Sequence, residues 1–137
     1  MRNFSVLGVA ACSVVLLSGC ATSGGMSKAD KRFAQGEYEP AIALYKADVA
    51  KGKGAANANF RIGEALRLSN RLDQAEPYYK AAMDAGLRNA DLGYRYAESL
   101  KANGKFDEAA AQFTTYAQSG GNANLVPRAT ALGVGGE

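Results

Sequence analysis

The chain has 137 residues, the length of one ordinary domain, and its 47% hydrophobic and 21% charged content excludes a disordered, collagen-like or polytopic membrane protein. Sixteen lysines and arginines against 13 aspartates and glutamates give a formal net charge of +3, too weak a basicity to indicate nucleic-acid binding. There is no histidine, and the only cysteines are Cys12 and Cys20. A Ser-His-Asp or Cys-His triad, a histidine-ligated metal and a four-cysteine zinc site are therefore excluded, and we expect no enzyme, cofactor or metal.

The first twenty residues have the layout of an export signal. Arg2 supplies one positive charge, and the uncharged stretch from Phe4 to Leu17 is too short to span a bilayer comfortably as a helix. The tetrapeptide LSGC at 17–20 then resembles the lipobox of bacterial lipoproteins. That resemblance implies a signal peptide over 1–19, an acylated (palmitate-bearing) Cys20 and a flexible tether over 20–26. The alternative is an ordinary export signal with an incidental cysteine.

The lipoprotein resemblance also implies a location. Ala21, rather than an aspartate, follows the cysteine, which is similar to lipoproteins that are sent to the outer membrane. We therefore expect an outer-membrane anchor with the domain facing the periplasm; in a Gram-positive cell the same anchor would lie on the plasma membrane. Because Cys12 lies in the discarded segment and Cys20 would be acylated, no disulfide is expected in the mature protein.

Beyond the tether the chain repeats itself with a constant period. The segments GEYEPA (36–41), NRLDQA (70–75) and GKFDEA (104–109) align without a gap and predict units of helix, tight turn and helix. Small residues are expected where the two helices approach, and an aromatic residue fills the space beside them. The repeated positions are Gly36, Asn70 and Gly104 in the turn, Ala41, Ala75 and Ala109 followed by Tyr45, Tyr79 and Phe113 on the second helix, and Ala29, Gly63 and Ala97 on the first.

This pattern resembles the tetratricopeptide repeat (TPR), and the resemblance implies an all-α solenoid of three helix-turn-helix repeats over 27–121. The repeats are about 22–55, 56–89 and 90–121. The family's early tryptophan and terminal proline are missing from every repeat. The first helix of repeat one is expected to be short, with its N-cap near Ser27. Residues 122–137 are expected to form a short capping helix around Pro127 to Leu132 and a disordered tail from Gly133 onward.

A narrower resemblance rests on ADKRFAQGEY (29–38), ALRLSNR (65–71) and PYYKAA (77–82). These segments are similar to the N-terminal repeat module of certain outer-membrane proteins of the Bacteroidota. In those proteins the repeats precede a β-propeller and an OmpA-like peptidoglycan-binding domain, and some belong to type IX secretion machinery. Neither domain follows Gly121 here, so peptidoglycan binding is carried over to no residue.

In the repeat family, first-helix residues line a concave groove that takes peptides or neighbouring protein segments. Three rows recur here with the period of the turns, and the second row is acidic throughout, which favours a basic or mixed apolar-basic partner. The rows are Met26, Phe60 and Tyr94; Asp30, Glu64 and Glu98; and Phe33, Arg67 and Lys101.

Each row also has a purely structural interpretation. Phe60 and Tyr94 can replace the missing tryptophan in the core between helices. Glu64 can pair with Arg67 as a solvated surface pair on one helix. Glu98 can pair with Lys101 in the same way.

The leading functional hypothesis is a non-enzymatic, lipid-anchored adaptor that binds protein or peptide segments in a cell-envelope assembly or secretion complex. The alternative is a structural subunit that packs permanently on a partner through its outer helices, where Tyr78 is a candidate contact. An enzyme ranks third, because Glu64 and Glu98 would have to act in open solvent and no phosphate loop is present.

Overall fold

The computed structural model describes residues 26–134, which form seven α-helices and no strand. The all-α prediction is confirmed for this part of the chain. The predicted signal peptide, Cys20, the tether as far as residue 25 and residues 135–137 lie outside the described residues. The helices are α1 (Lys28–Ala34), α2 (Tyr38–Ala50), α3 (Ala55–Leu68), α4 (Glu76–Asp84), α5 (Leu92–Ala102), α6 (Phe106–Gln118) and α7 (Val126–Val134), with a 3₁₀ helix over Leu72–Ala75 before α4.

The helix ends recur with the period of the sequence repeat. The first helices of the three pairs (α1, α3, α5) end at positions 34, 68 and 102, and the second helices end at 50, 84 and 118. The second helices begin at 38, 72 and 106 when the 3₁₀ helix is counted with α4. Only the starts of the first helices differ: α1 has 7 residues and α3 has 14. The Ser27 hydroxyl caps α1 by accepting from the Asp30 amide at 3.0 Å.

Each first helix ends in the same reversal. Asn70 has φ 60°, and the equivalent turn glycines, Gly36 and Gly104, have φ 75° and 74°, so all three turn residues are left-handed. The amide that follows then bonds five residues back, as from Arg71 N to Leu66 O at 2.8 Å. Between successive pairs the chain turns again at left-handed glycines. This second series, which was not identified from the sequence, has the same period and consists of Gly52, Gly86 and Gly120.

The second helix of the middle pair departs from the others because of Pro77. A proline has no amide hydrogen to donate to the carbonyl four residues back, so the Asp73 carbonyl lacks a helical partner. Asn103 Nδ2, from the turn of the next pair, donates to that carbonyl at 2.9 Å instead. The helix therefore begins as a 3₁₀ turn and becomes α-helical only at Glu76.

Buried side chains lie between consecutive helices in two adjoining clusters, one centred on Ile62 and Tyr79 and the other on Tyr94 and Phe113. The last helix, α7, packs on α6 and covers the apolar end of the array. Within the described residues, no helix combines the length and the apolar character that a membrane crossing requires. Tyr45 and all the predicted small positions are buried as well: Ala29, Ala41, Gly63, Ala75, Ala97 and Ala109.

The helix α7 runs through Gly133 and Val134, which were predicted to belong to the disordered tail. The physical reason is close packing against α6. A Cβ atom built on Gly133 would lie 2.5 Å from Thr114 Oγ1, so only glycine fits at this crossing.

Candidate functional site

Two members of the acidic row, which consists of Asp30, Glu64 and Glu98, are hydrogen-bonded to the second helices. Asp30 Oδ1 accepts from the Tyr45 hydroxyl at 2.6 Å, and one repeat later Glu64 Oε1 accepts from the Tyr79 hydroxyl at 2.7 Å. The third repeat has Phe113 at this position, which carries no hydroxyl, so Glu98 accepts from Arg95 Nη1 at 2.9 Å. Two of the three carboxylates therefore hold the paired helices together.

Arginines compensate the same carboxylates. Arg61 Nε lies 3.8 Å from Asp30 Oδ1, and at the equivalent place in the next repeat Arg95 Nε lies 3.6 Å from Glu64 Oε1. Arg67 adds two hydrogen bonds to Glu64, at 3.1 and 2.8 Å. Arg61 and Arg95 were not among the residues predicted from the sequence, although they recur with the repeat period and that signal could have found them.

These contacts lower the pKa values of Asp30 and Glu64. Hydrogen bonds from Tyr45 and Ser27, together with the charge of Arg61, hold the pKa of Asp30 below its usual value. Burial alone would raise the pKa of Glu64, whose side chain is only 14% exposed. The hydrogen bonds from Arg67 and Tyr79, with the charges of the surrounding arginines, outweigh burial and lower that pKa. Both groups are stabilised as carboxylates.

The acidic row is therefore not an uncompensated stripe, and it no longer favours a basic partner. A lysine or arginine of a ligand would have to displace Arg61, Arg67 or Arg95 from contacts that the folded chain already makes. The pair predicted between Glu64 and Arg67 forms, but it is not a solvated surface pair, because the side chain of Glu64 is only 14% exposed and that of Arg67 27%. Among residues 26–134, however, Glu98 pairs with Arg95 and not with Lys101.

The first row, Met26, Phe60 and Tyr94, is divided between the surface and the core. Met26 is 55% exposed, and Phe60 is half-buried with its ring 6.1 Å from that of Tyr79. Tyr94 is 1% exposed, and its ring packs edge-on against Phe113 at 5.3 Å. Tyr94 thus lies in the core between helices, the structural interpretation, and is not available to line a groove.

The third row, Phe33, Arg67 and Lys101, also contains both half-buried and exposed side chains. Phe33 is half-buried beneath the guanidinium of Arg61, 5.4 Å from its ring centroid. Arg67 is committed to Glu64. Lys101 is exposed, and in the described part of the chain it forms no ion pair.

The rows continue onto the last helix. The positions one repeat beyond Tyr94 and Glu98 are Arg128 and Leu132 of α7, which were not predicted to belong to the groove. Arg128 is exposed and lies 6.0 Å from the Tyr94 ring centroid. Arg128, Leu132 and Lys101 border concavities at the end of the first-helix surface.

Over residues 26–134, no three or more acidic, cysteine or histidine side chains converge as metal ligands. No model of a known protein family matches the chain, and no curated protein matches it either.

Proposed function

We propose that this chain is a tetratricopeptide-repeat lipoprotein, an adaptor anchored by lipid on Cys20 to the outer membrane and facing the periplasm. It binds protein or peptide segments of a cell-envelope assembly or secretion complex and carries out no catalysis. The observation that supports this most is the recurrence, with one constant period, of helix ends, turns and carboxylate–tyrosine pairs. Stacked repeats of this kind present a continuous first-helix surface, which suits an extended partner.

The distribution of exposed apolar side chains favours this surface over the outer helices. The large hydrophobic residues exposed in the described part of the chain are Met26, Leu68 and Phe106. Met26 precedes α1 and Leu68 ends α3. Phe106 is the first residue of the second helix α6, but it borders a cavity with Lys101 of α5 at the end of the first-helix surface. On the second helices Tyr78 is half-buried, with Lys46 Nζ 5.6 Å from its ring centroid. Packing onto a partner through the outer helices is therefore the weaker proposal.

Site-specific photocrosslinking in cells tests the choice of surface. A photoreactive amino acid is introduced at Arg61, Leu68 or Lys101 on the first helices, and at Ala47 or Lys80 on the second helices as matched exposed controls. The adaptor proposal expects envelope proteins to be captured from the first-helix positions and not from the controls. Capture confined to Ala47 and Lys80 would instead establish packing through the outer helices.

A further inference from the structure

The first-helix surface ends in a trough between α5, α6 and α7, which we call the terminal cleft. Two adjoining cavities, of about 350 and 310 Å³, share Lys101, Phe113 and Leu132 in their walls. Arg128 and Glu98 line the larger cavity, and Phe106 lines the smaller one. The cleft arises because α7 covers α6 but leaves the end of α5 open beside it.

The cleft is apolar at its base. Phe113 is fully buried beneath it, and Leu132 of α7 is half-buried in its wall. Phe106 stands at its edge with 65% of its surface exposed, the highest value among the large exposed hydrophobic side chains of residues 26–134. An exposed aromatic ring beside an apolar cavity indicates a surface on which another molecule buries area.

The rim of the cleft carries two cations, Lys101 and Arg128, that have no counter-ion among residues 26–134. Neither Lys101 nor Arg128 forms an ion pair within the described residues, although Arg61, Arg67 and Arg95 of the same surface all contact carboxylates. Glu98 also borders the cleft, but its carboxylate hydrogen-bonds Arg95 at 2.9 Å. The charge available to a ligand at the rim is therefore positive.

We propose that the terminal cleft binds a protein segment that inserts a large apolar side chain over Phe113 and Leu132 and places carboxylates beside Lys101 and Arg128. The partner is thus acidic and apolar, opposite in charge to the one that the sequence favoured. The assignment of a protein segment rests on the proposed function. Both cavities are partly open to solvent rather than enclosed, which suits a polypeptide segment on the surface, whereas a fatty acyl chain buries more of its surface in an enclosed pocket.

Fluorescence anisotropy with defined peptides tests this on the full-length chain in detergent. The probe is a labelled Gly-Ser-Glu-Leu-Glu-Ser-Gly peptide, compared with one peptide carrying lysine for each glutamate and another carrying glycine for leucine. We expect the labelled glutamate- and leucine-containing peptide to bind, and we expect the peptides with lysine for glutamate or glycine for leucine to bind more weakly. The variant Lys101→Glu with Arg128→Glu lowers affinity about tenfold or more, and Phe106→Ser lowers it several-fold.

A charge-matched control is Lys31→Glu with Lys51→Glu, two exposed lysines outside the cleft, which changes affinity less than about twofold. Unchanged circular dichroism and melting temperature show that each variant is folded. Equal binding by wild type and the Lys101/Arg128 variant, or tighter binding of the lysine peptide, overturns the proposal.

Two further outcomes overturn the choice of occupant. Displacement of the probe by dodecanoate at lower concentration than by unlabelled peptide would identify a fatty acid site. Self-association that Phe106→Ser abolishes would identify a second copy of the chain. If these tests fail while photocrosslinks at Arg61 and Leu68 persist, the cleft assignment falls and the adaptor function stands.

Discussion

The Tyr79 hydroxyl donates a 2.7 Å hydrogen bond to Glu64 Oε1, joining the second helix of the middle pair to its first helix. Tyr45 and Asp30 make the same contact one repeat earlier, at 2.6 Å. Burial, and then the neighbouring carboxylate, raise the pKa of both tyrosines, so both stay protonated donors at neutral and acid pH. Asp30 and Glu64 of the acidic row therefore stabilise the contact between the paired helices.

The variant Tyr79→Phe should lower the free energy of unfolding by about 1–2 kcal/mol, because Glu64 loses a hydrogen bond in a site where water cannot easily replace it. Urea denaturation measures this change. The matched control is Tyr78→Phe, the same chemical change at a half-buried neighbour whose hydroxyl makes no hydrogen bond within residues 26–134. We expect the control to change stability by less than about 0.5 kcal/mol. Equal effects of the two variants would contradict the role assigned to the Tyr79 hydroxyl.

The lowered pKa values of Asp30 and Glu64 predict the direction of the acid response. Since both pKa values are lower in the folded than in the unfolded chain, the stabilisation is fully present above the unfolded values near 3.8 and 4.5 and is lost as pH falls through the folded values. Urea denaturation at a series of pH values between 7 and 3 should show wild type losing stability toward the acid end. The variant Glu64→Gln starts less stable and declines less steeply.

The control for the acid response is Glu108→Gln, an exposed glutamate in the first turn of α6, which should leave the slope close to that of wild type. If the free energy of unfolding fell equally steeply with pH for Glu64→Gln and wild type, the Glu64 carboxylate would not be stabilised by folding.

The charge-reversal experiment that the acidic row suggests is a poor test of binding. In the double variant Glu64→Lys and Glu98→Lys, a new cation at position 64 would lie beside Arg67 and Arg95 in a site that is 14% exposed. Loss of partner binding would then follow from destabilisation alone. Exposed positions such as Leu68 and Lys101 report on the surface without this cost.

Close packing at Gly63 supports a prediction about the repeat register. A Cβ atom at this position would lie 2.5 Å from Tyr79 Cε1, so Gly63→Leu forces α3 and α4 apart and should cost about 1–3 kcal/mol of unfolding free energy. Thermal unfolding measures the loss. The control Ala47→Leu, on the exposed side of α2, should change stability by less than about 0.5 kcal/mol. An unchanged melting temperature for Gly63→Leu would be incompatible with this packing.

The sequence predicted the features that are set locally. A residue such as Asn70 must be left-handed wherever a helix reverses in so few residues, so the turns and helix ends could be read from the spacing of the repeats. Pro77 indicated a disturbed start of the helix before α4, but the sequence did not show that Asn103 of the next repeat donates to the Asp73 carbonyl that the proline leaves without a helical partner. The sequence also could not choose between core and groove for Tyr94, since only packing against Phe113 decides that.

The electrostatics of the surface were the least predictable part. Glu98 has Lys101 one helical turn ahead and Arg95 one turn behind on the same helix, and spacing alone does not rank them. Its pairing with Arg95 leaves Lys101 without a carboxylate among the described residues. Because Glu98 pairs with Arg95, the charge of Lys101 is not compensated among the described residues, and the rim of the terminal cleft is positive.

The lipid anchor can be tested through the two cysteines. The lipobox resemblance expects Cys20 to carry the acyl chains, so cells expressing Cys20→Ser should yield protein that takes up no labelled palmitate and keeps its signal peptide uncleaved, which mass spectrometry of the intact protein detects. The matched control is Cys12→Ser, which removes the other cysteine but lies inside the segment that is discarded, and it should leave labelling unchanged. Palmitate incorporation that persists in Cys20→Ser would show that LSGC at 17–20 is an incidental match and that the lipobox interpretation is wrong.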